Sequence, residues 1–286
     1  MQDDEAVGRT EQANDVVPAD LAARLAATLG ERAPGDSTLP PLGHWLLFQT
    51  WRPPDGLGPD GHPVRGGFLP AEPSLPRRMW AGGRVEFGQA IRAGDALARR
   101  STIERIEEKR GGSGRLLFVT VRHEIAGPRG LAIAEQQDLV YRGAEAPASR
   151  PPEPEPPPPA GALVREIVPD TVLLFRYSAL TGNGHRIHYD LDYARSVEFY
   201  PGLVVHGPLQ ATLLAWLAQG LAPDRALRRF TFRGRRPAYG GRPLRLEGWR
   251  DGETVRLRTR DADGAACMTA EAEFGGPTRA EGDATP

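Results

Sequence analysis

The densest collection of chemically competent side chains lies in FRYSALTGNGHRIHYDLDYAR, residues 175–195. Thr181, Asn183, His185, Arg186, His188, Tyr189 and Asp190 crowd together there, behind an apolar stretch, TVLLF, that reads as a strand. Gly182 and Gly184 suggest tight turns, and Ile187 an inward-pointing anchor. Polar groups at this density on a glycine-kinked loop are costly unless they are solvated or functional. Histidine titrates near neutrality and can take or give a proton, so His185 and His188 are acid–base candidates. Lying three apart, they are also conceivable as two metal ligands, but no third ligand stands out. Each residue has a plainer reading. His185 can serve a loop hydrogen bond, Asp190 can cap a helix over 191–198, and His206 can fix a helix start. His123 fits a strand, and Trp216 fits a core.

The elements that must position this loop follow from periodicity. LVVHGPLQATLLAWLAQGL, 203–221, reads as a buried helix with Leu209, Leu213, Trp216, Leu217 and Gly220 on one stripe. Four strand candidates come next: RRFTFRGRR, PLRLEGWR, ETVRLRTRD and AACMTAEAEF. In the last, Ala266, Met268, Ala270, Ala272 and Phe274 alternate with mostly polar positions, the period-2 pattern of a half-buried strand. Asp251-Gly252 and Asp263-Gly264 mark turns between them. The first half carries a helix, LAARLAATLGER, with Leu21, Leu25 and Leu29 on one face, Asp20 as its cap and Gly30 as its end. A glycine- and proline-rich irregular excursion occupies 52–83, long enough to be functional. Strands over 95–109, 115–125 and 130–143 then suggest an antiparallel meander. Gly94-Asp95-Ala96-Leu97 and Gly241-Arg242-Pro243-Leu244 open the two strand series alike, which hints at two copies of one unit.

PASRPPEPEPPPPAG, 147–161, cannot enter a sheet or a helix interior, because proline lacks the amide donor and fixes φ. It reads as a stiff, extended linker, with a proline-rich partner motif as the lesser reading. The expected organisation is an N-terminal domain over 8–146, the linker 147–161, a C-terminal domain over 162–276 and a loose tail over 277–286.

A net charge of −1 over 286 residues recruits neither nucleic acid nor anionic lipid. One cysteine, Cys267, excludes a disulfide framework and a cysteine metal cage. No apolar run approaches the roughly 20 residues of a membrane span, and the acidic start MQDDE lacks a signal-peptide pattern. The expected location is cytoplasmic. Of 36 basic residues only Lys109 is lysine, so arginine abundance reflects composition, and only arginines placed near a site carry weight.

The run Tyr177 to His188, followed by Tyr189-Asp190 and Ala194, resembles the signature loop of MaoC-like (R)-specific enoyl-CoA hydratases and 3-hydroxyacyl dehydratases. That signature reads roughly Tyr, Ser/Thr, Gly, Asp, Asn-Pro, aliphatic, His. YPGLVVHGPLQATLL, 200–214, resembles the family's His-Gly step into its central helix. NGHRIHYD and the first-half string LPRRMWAGGRVEFGQAIRAGD, 75–95, are similar to the double-domain branch containing mesaconyl-C4-CoA and itaconyl-CoA hydratases and mitochondrial 3-hydroxyacyl-thioester dehydratases.

The resemblance implies an α+β double hotdog fold, two antiparallel sheets each wrapped around a long helix. It also implies reversible addition of water across the α,β double bond of an acyl thioester, with no redox or metal cofactor. On this basis His188 takes the catalytic-histidine position. Gly207 matches the glycine whose amide, at a helix N-terminus, serves the oxyanion. The family's catalytic aspartate falls on Asn183, which can position water but cannot act as a base. Asp190 and His185 are therefore the candidates for a second proton-transfer group. Arg186, Arg233 and Arg235, with His206 and Tyr189, are the expected substrate-binding residues, since guanidinium suits phosphate and carboxylate. The first half is expected to have lost catalysis and to shape the acyl pocket, with 52–83 lying over it.

The leading substrate is a short branched dicarboxylyl-CoA, mesaconyl-C4-CoA or itaconyl-CoA. The alternatives are a straight-chain 3-hydroxyacyl-CoA or acyl-carrier-protein substrate, and a non-catalytic acyl-CoA-binding protein. A homodimer is expected, with no nucleic-acid or membrane partner.

Overall fold

The computed structural model describes residues 6–111, 114–144 and 153–277. The 277–286 tail beyond Pro277, the first part of the proline run (147–152) and residues 112–113 of the Gly-Gly-Ser-Gly turn lie outside the described residues.

Ten antiparallel strands form one continuous sheet among the described residues. The first half supplies β1 (Thr10–Val16), β2 (Arg77–Phe87), β3 (Ala96–Gly111), β4 (Gly114–Gly127) and β5 (Gly130–Arg142). The second supplies β6 (Leu163–Ile167), β7 (Arg225–Gly234), β8 (Leu244–Asp251), β9 (Thr254–Arg260) and β10 (Ala266–Pro277). The order is β1-β3-β4-β5-β2-β7-β10-β9-β8-β6. Read outward from the centre, the halves repeat one pattern, so β2 corresponds to β7 and β3 to β8. The two similar strings at Gly94 and Gly241 immediately precede those corresponding strands β3 and β8.

The halves join where β2 pairs with β7, from Gly82 opposite Arg233 to Glu86 opposite Arg229. Gly82 and Gly83 are required there: a Cβ would stand 2.6 Å from the Phe232 carbonyl oxygen and 2.3 Å from that of Gln136, respectively. The two expected sheets are thus fused edge to edge. The strand ladders satisfy the backbone groups that two separate edges would expose.

Helices differ between the halves. α4 (Gly207–Leu221) is the long central helix, with Leu209, Ala211, Leu213, Leu214, Ala215 and Ala218 buried. It is apolar on most sides because it lies inside the sheet's curve. Its start is later than the 203 expected, because Pro208 favours the first helical turn and 203–206 run extended into the site. Among the described residues, the first half has only α1 (Leu21–Leu29) as an α-helix, capped C-terminally by Gly30 at φ 69. Asp20 makes no capping bond and instead pairs with Arg24 at 2.7 Å. In place of a second long helix runs an irregular chain up to the start of β2, containing only short 3-10 turns at Gly43–Leu46 and Pro54–Gly56. Its repeated prolines and glycines forbid a longer helix. The irregular stretch ends at 76 rather than 83, since β2 begins at Arg77.

TVLLF is not a strand. It opens α2 (Thr171–Thr181), where the Asp170 carboxylate accepts from Leu173 N at 2.8 Å and Gly182, at φ 60, ends the helix. The cap decides over the β-branched composition: Leu174, Tyr177 and Ser178 turn inward while Val172 and Phe175 stay exposed. α2 packs against α1. β1 and β6, both short edge strands, carry no clear apolar alternation and escape a sequence reading.

Residues 153–161 of the proline run form no helix or strand. They lie on the C-terminal unit: Glu155 N donates to Gly264 O at 3.0 Å, and Arg258 donates to Pro156 O at 2.6 Å.

Candidate active site

The signature loop sits between two caps. Asn183 N donates to Ser178 O at 2.9 Å after Gly182, and the chain then makes a 3-10 turn at Arg186–His188. α3 (Leu191–Ser196) follows, with Asp190 as its N-cap accepting from Tyr193 N at 3.0 Å. Ile187, Tyr193, Ala194, Tyr200 and Val204 form a small buried cluster beneath the loop, so Ile187 is the anchor its place suggested.

His188 is 7% exposed, and its Nδ1 donates to Val204 O at 2.7 Å. That bond fixes the tautomer and leaves Nε2 with a lone pair. The ring stacks on His206, with centroids 3.6 Å apart and planes at 19°. His206 Nε2 shares a hydrogen bond with Ser178 Oγ at 2.8 Å, and its Nδ1 is buried without a partner. His206 immediately precedes α4 as its N-cap, so it braces both the helix start and His188. Burial pushes the pKa of His188 down to about 3 and that of His206 well below the usual value. Both rings are therefore neutral near pH 7.

Gly207 is the first residue of α4, where its N–H has no partner within the helix and the positive end of the helix dipole lies. A Cβ at Gly207 would stand 2.8 Å from the Trp80 ring. Trp80, stacked on Phe232 at 4.4 Å and edge-on to Trp45 at 5.4 Å, forms an aromatic wall beside it. A cavity of about 1210 Å³ is lined by these tryptophans and by Asn183, His185, His188, Gly207 and Arg235. It is also lined by the first half's irregular segment, including Asp60, His62 and Arg65, and by Arg78 of β2. The segment expected to lie over the pocket thus forms one of its walls.

Of the residues expected at the site, His188, His185, Asn183, Gly207 and Arg235 come together on the cavity. Five expectations need correction. Asp190 is not on the cavity. Its carboxylate is used in capping α3 and in binding Arg186 at 2.8 Å, which hold its pKa below the ordinary value. Arg186 is spent on Asp190, on Pro59 O at 3.0 Å and on the Tyr193 ring at 4.2 Å. Tyr189 points its hydroxyl at Gly184 O, 2.9 Å away, and is half exposed. Arg233 is exposed on β7, the strand alternation having turned it from the cavity. His206 supports the site from beneath rather than lining it. Asn183 uses its Oδ1 to accept from His185 N at 3.0 Å, a local turn that shapes the loop.

Two residues absent from the sequence reading stand beside His185. The His62 ring lies 4.3 Å from that of His185, which in turn lies 5.5 Å from His188. Asp60 bonds His62 Nδ1 at 3.3 Å. Burial alone would raise the pKa of Asp60, but the hydrogen bonds and charge of His62 outweigh it and hold the carboxyl well below its usual range. One ligand atom from each of Asp60, His62 and His185 lies within 4.8 Å of the others, the group among the described residues that could hold a metal ion. A histidine in PDGHP, within a long glycine-rich segment, was the available signal.

A second buried polar group also lines the cavity. Glu135 binds His44 at 3.1 Å and Trp45 Nε1 at 2.8 Å. Burial works against its charge, but His44 and His123 lower its pKa to about 2.

A family model described as hydroxyacyl-thioester dehydratase type 2 matches residues 42–240. The chain is 46% identical, over 273 residues, to a protein of Chloroflexus aurantiacus named mesaconyl-C(4)-CoA hydratase, covering 94% of this chain and 97% of that one. Among solved structures, a MaoC-like dehydratase superposes with a TM-score of 0.71 at 14% identity, covering 94% of this chain and 98% of the other. A Mycobacterium tuberculosis protein described as having a double hotdog fold superposes with a TM-score of 0.59 at 15% identity, covering 95% and 97%.

Proposed function

The chain belongs to the hydroxyacyl-thioester dehydratase type 2 family and has the double hotdog fold, and from that premise we propose how it works and on what. It is a hydro-lyase that adds water to, or removes it from, a thioester. The preferred substrate in our reading is a short branched dicarboxylyl-CoA such as mesaconyl-C4-CoA, the substrate in the name of the 46% identical relative.

The observation that carries the mechanism is the neutral, tautomer-fixed His188 beside the N-terminus of α4. In hydration, Nε2 takes a proton from water as the water oxygen bonds the β-carbon. The double-bond electrons move to the thioester oxygen. Gly207 N–H and the helix dipole stabilise that oxygen, and fixed donors aimed at developing charge supply a large share of such catalysis. The proton then returns from His188 to the α-carbon as the carbonyl re-forms. The reverse sequence is dehydration. The neutral state of His188 suits this cycle, because the ring must accept before it donates. The aromatic wall of Trp45, Trp80 and Phe232 would border the short acyl group. Arg235, at the rim with its Nε on Thr269 Oγ1 at 3.2 Å, is placed for a phosphate of the carrier arm.

In this reading the C-terminal unit, 162–276, carries the acid–base group, and the N-terminal unit, 8–146, shapes the pocket. No helix of the described residues is long and apolar enough to cross a membrane. A cytoplasmic homodimer is our expectation. Val16 on β1 and Leu163 and Val164 on β6 are exposed apolar side chains on edge strands that a partner would cover.

The test is hydration of mesaconyl-C4-CoA, itaconyl-CoA and crotonyl-CoA by the purified protein and by His188→Ala, with products read by mass. We expect mesaconyl-C4-CoA to lead and His188→Ala to lose roughly 10²–10⁴-fold in kcat. A variant that retains turnover overturns the role of His188. Preference for crotonyl-CoA moves the substrate to straight-chain thioesters.

A further inference from the structure

The loop that carries His188 brings a neutral amide, Asn183, to the cavity, and the segment facing it from the other half presents an unassigned carboxylate and histidine. We propose that Asp60 and His62 are positioning residues for the hydration, packing against His185 and supplying the buried histidine set with the counter-charge that neutral Asn183 does not provide. The proposal rests on the reading of His188 as the proton acceptor.

The two loops are built to meet. Gly61, at φ +86, packs so closely on Gly184 that a Cβ would stand 2.0 Å from the Gly184 carbonyl oxygen. Arg186 N donates to Asp60 O at 2.9 Å, and the Arg186 guanidinium donates to Pro59 O at 3.0 Å. Two backbone contacts and one side-chain bond therefore fix residues 59–61 against 184–186. Inside that clamp, Asp60 accepts from His62 N at 3.0 Å and bonds His62 Nδ1 at 3.3 Å, and the His62 ring lies 4.3 Å from that of His185. The rings of His62, His185 and His188 then run in sequence into the cavity.

The chemistry needs a negative group there. When water's O–H bond breaks, its proton goes to His188 and its oxygen to the β-carbon, while the double-bond pair moves to the thioester oxygen. The proton later leaves His188 for the α-carbon, so nothing is gained or lost over the cycle. In between, one positive charge resides in a buried set whose members all resist it. Burial lowers the pKa of His62, and burial and its neighbours lower those of His185 and His188 to about 3. The groups facing the set are Arg65 and Arg78 from the first half, His206 at the start of α4, and Asp60. Of these, Asp60 alone is negative, and it acts on both His62 and His185. Asn183 is neutral, and Asp190 is turned away onto Arg186.

The experiment compares Asp60→Asn, Asp60→Glu, and Asp60→Asn combined with Asn183→Asp. Turnover against pH is followed in each, together with imidazole titration by NMR in the unliganded protein. We expect Asp60→Asn to lose roughly 100-fold in kcat with KM changed by no more than about threefold. Without the carboxylate the imidazolium is harder to form. The acid limb of activity and the titrations of His62 and His185 should therefore move to lower pH. Asp60→Glu should recover most of the loss, and Asn183→Asp should restore part of it by adding a carboxylate to the loop. The proposal is overturned if Asp60→Asn keeps kcat within threefold. It is equally overturned if kcat falls while the histidine titrations stay in place, which marks a structural role. Stoichiometric divalent metal in the purified protein, lost in Asp60→Asn, would replace it with a metal site. If the wild-type protein hydrates no enoyl thioester, the function fails, and the titrations still decide whether Asp60 governs the histidines.

Discussion

Gly61→Ala should separate the two loops of the site without disturbing the sheet. The substitution meets two costs. A side chain at φ +86 pays the left-handed penalty of about 1–2 kcal/mol. Its Cβ also starts 2.0 Å from the Gly184 carbonyl oxygen, which is backbone and cannot rotate away, so overpacking adds about 1–3 kcal/mol. Gly94→Ala is the matched control: its φ is +84, and nothing lies within 4 Å of the added Cβ. The control should lose only the first amount and keep its turnover. Gly61→Ala should lose roughly 2–5 kcal/mol, or relieve part of that by pushing residues 59–62 away from His185. A displacement of about 1 Å near the reacting atoms costs roughly 100-fold in rate. Urea midpoints and kcat on a hydrated thioester, taken on the same preparations, report the two effects. Equal midpoints and equal turnover for the two variants would refute the claim that the Gly61–Gly184 contact sets the site.

Three further outcomes follow from the geometry. Gly207→Ala places a methyl 2.8 Å from the Trp80 ring and should displace the aromatic wall, lowering kcat/KM, whereas Gly202→Ala, with its nearest contact at 4.0 Å, should leave the rate unchanged. Arg258→Met removes the 2.6 Å partner of the Glu247 carboxylate, 1% exposed, and leaves it Arg260 at 3.1 Å, so it should cost about 1.5–3 kcal/mol in urea unfolding; removing Arg258 and Arg260 together should cost more, about 3–5 kcal/mol. Stability should also fall with acid. His188 and His123 titrate at about 3 and about 4 in the fold against 6.5 when unfolded. The unfolded chain therefore binds the extra protons, so stability is full above pH 6.5 and falls below it by about 1.4 kcal/mol per pH unit for each ring. A urea midpoint that stays flat from pH 7.5 to 4.5 would contradict the neutral burial of these histidines.

Strand periodicity and turn chemistry were legible without the fold. From Met268 on, β10 alternates as its apolar spacing requires, although Cys267 beside the bulge at its start is buried as well, and Gly252 and Gly264 adopt the positive φ their turns demand. Leu21, Leu25 and Leu29 bury one face of α1, and Gly30 ends it. These features are local: they depend on residues within a few positions of one another. TVLLF has a composition that favours a strand, while Asp170 and Gly182, at the two ends of α2, impose a helix on it. β1 and β6 were invisible because an edge strand can form from polar residues when a neighbour supplies the hydrogen bonds.

The site divides the same way. Order along one loop was enough to single out His185, His188 and Asn183, and the step into α4 to single out Gly207. Asp190 and Arg186 looked equally able, but whether a polar group faces the cavity or a helix cap depends on backbone direction, which spacing alone does not specify. The arrival of Asp60 and His62 beside His185 could not be read at all. They lie more than 120 residues away along the chain, and what brings them there is the pairing of β2 with β7 and the meeting of two glycines. Sequence determined which side chains could move a proton, because that is a property of residue type. Tertiary structure decided which of them share one low-dielectric cavity, because burial, charge and tautomer depend on neighbours contributed by both halves.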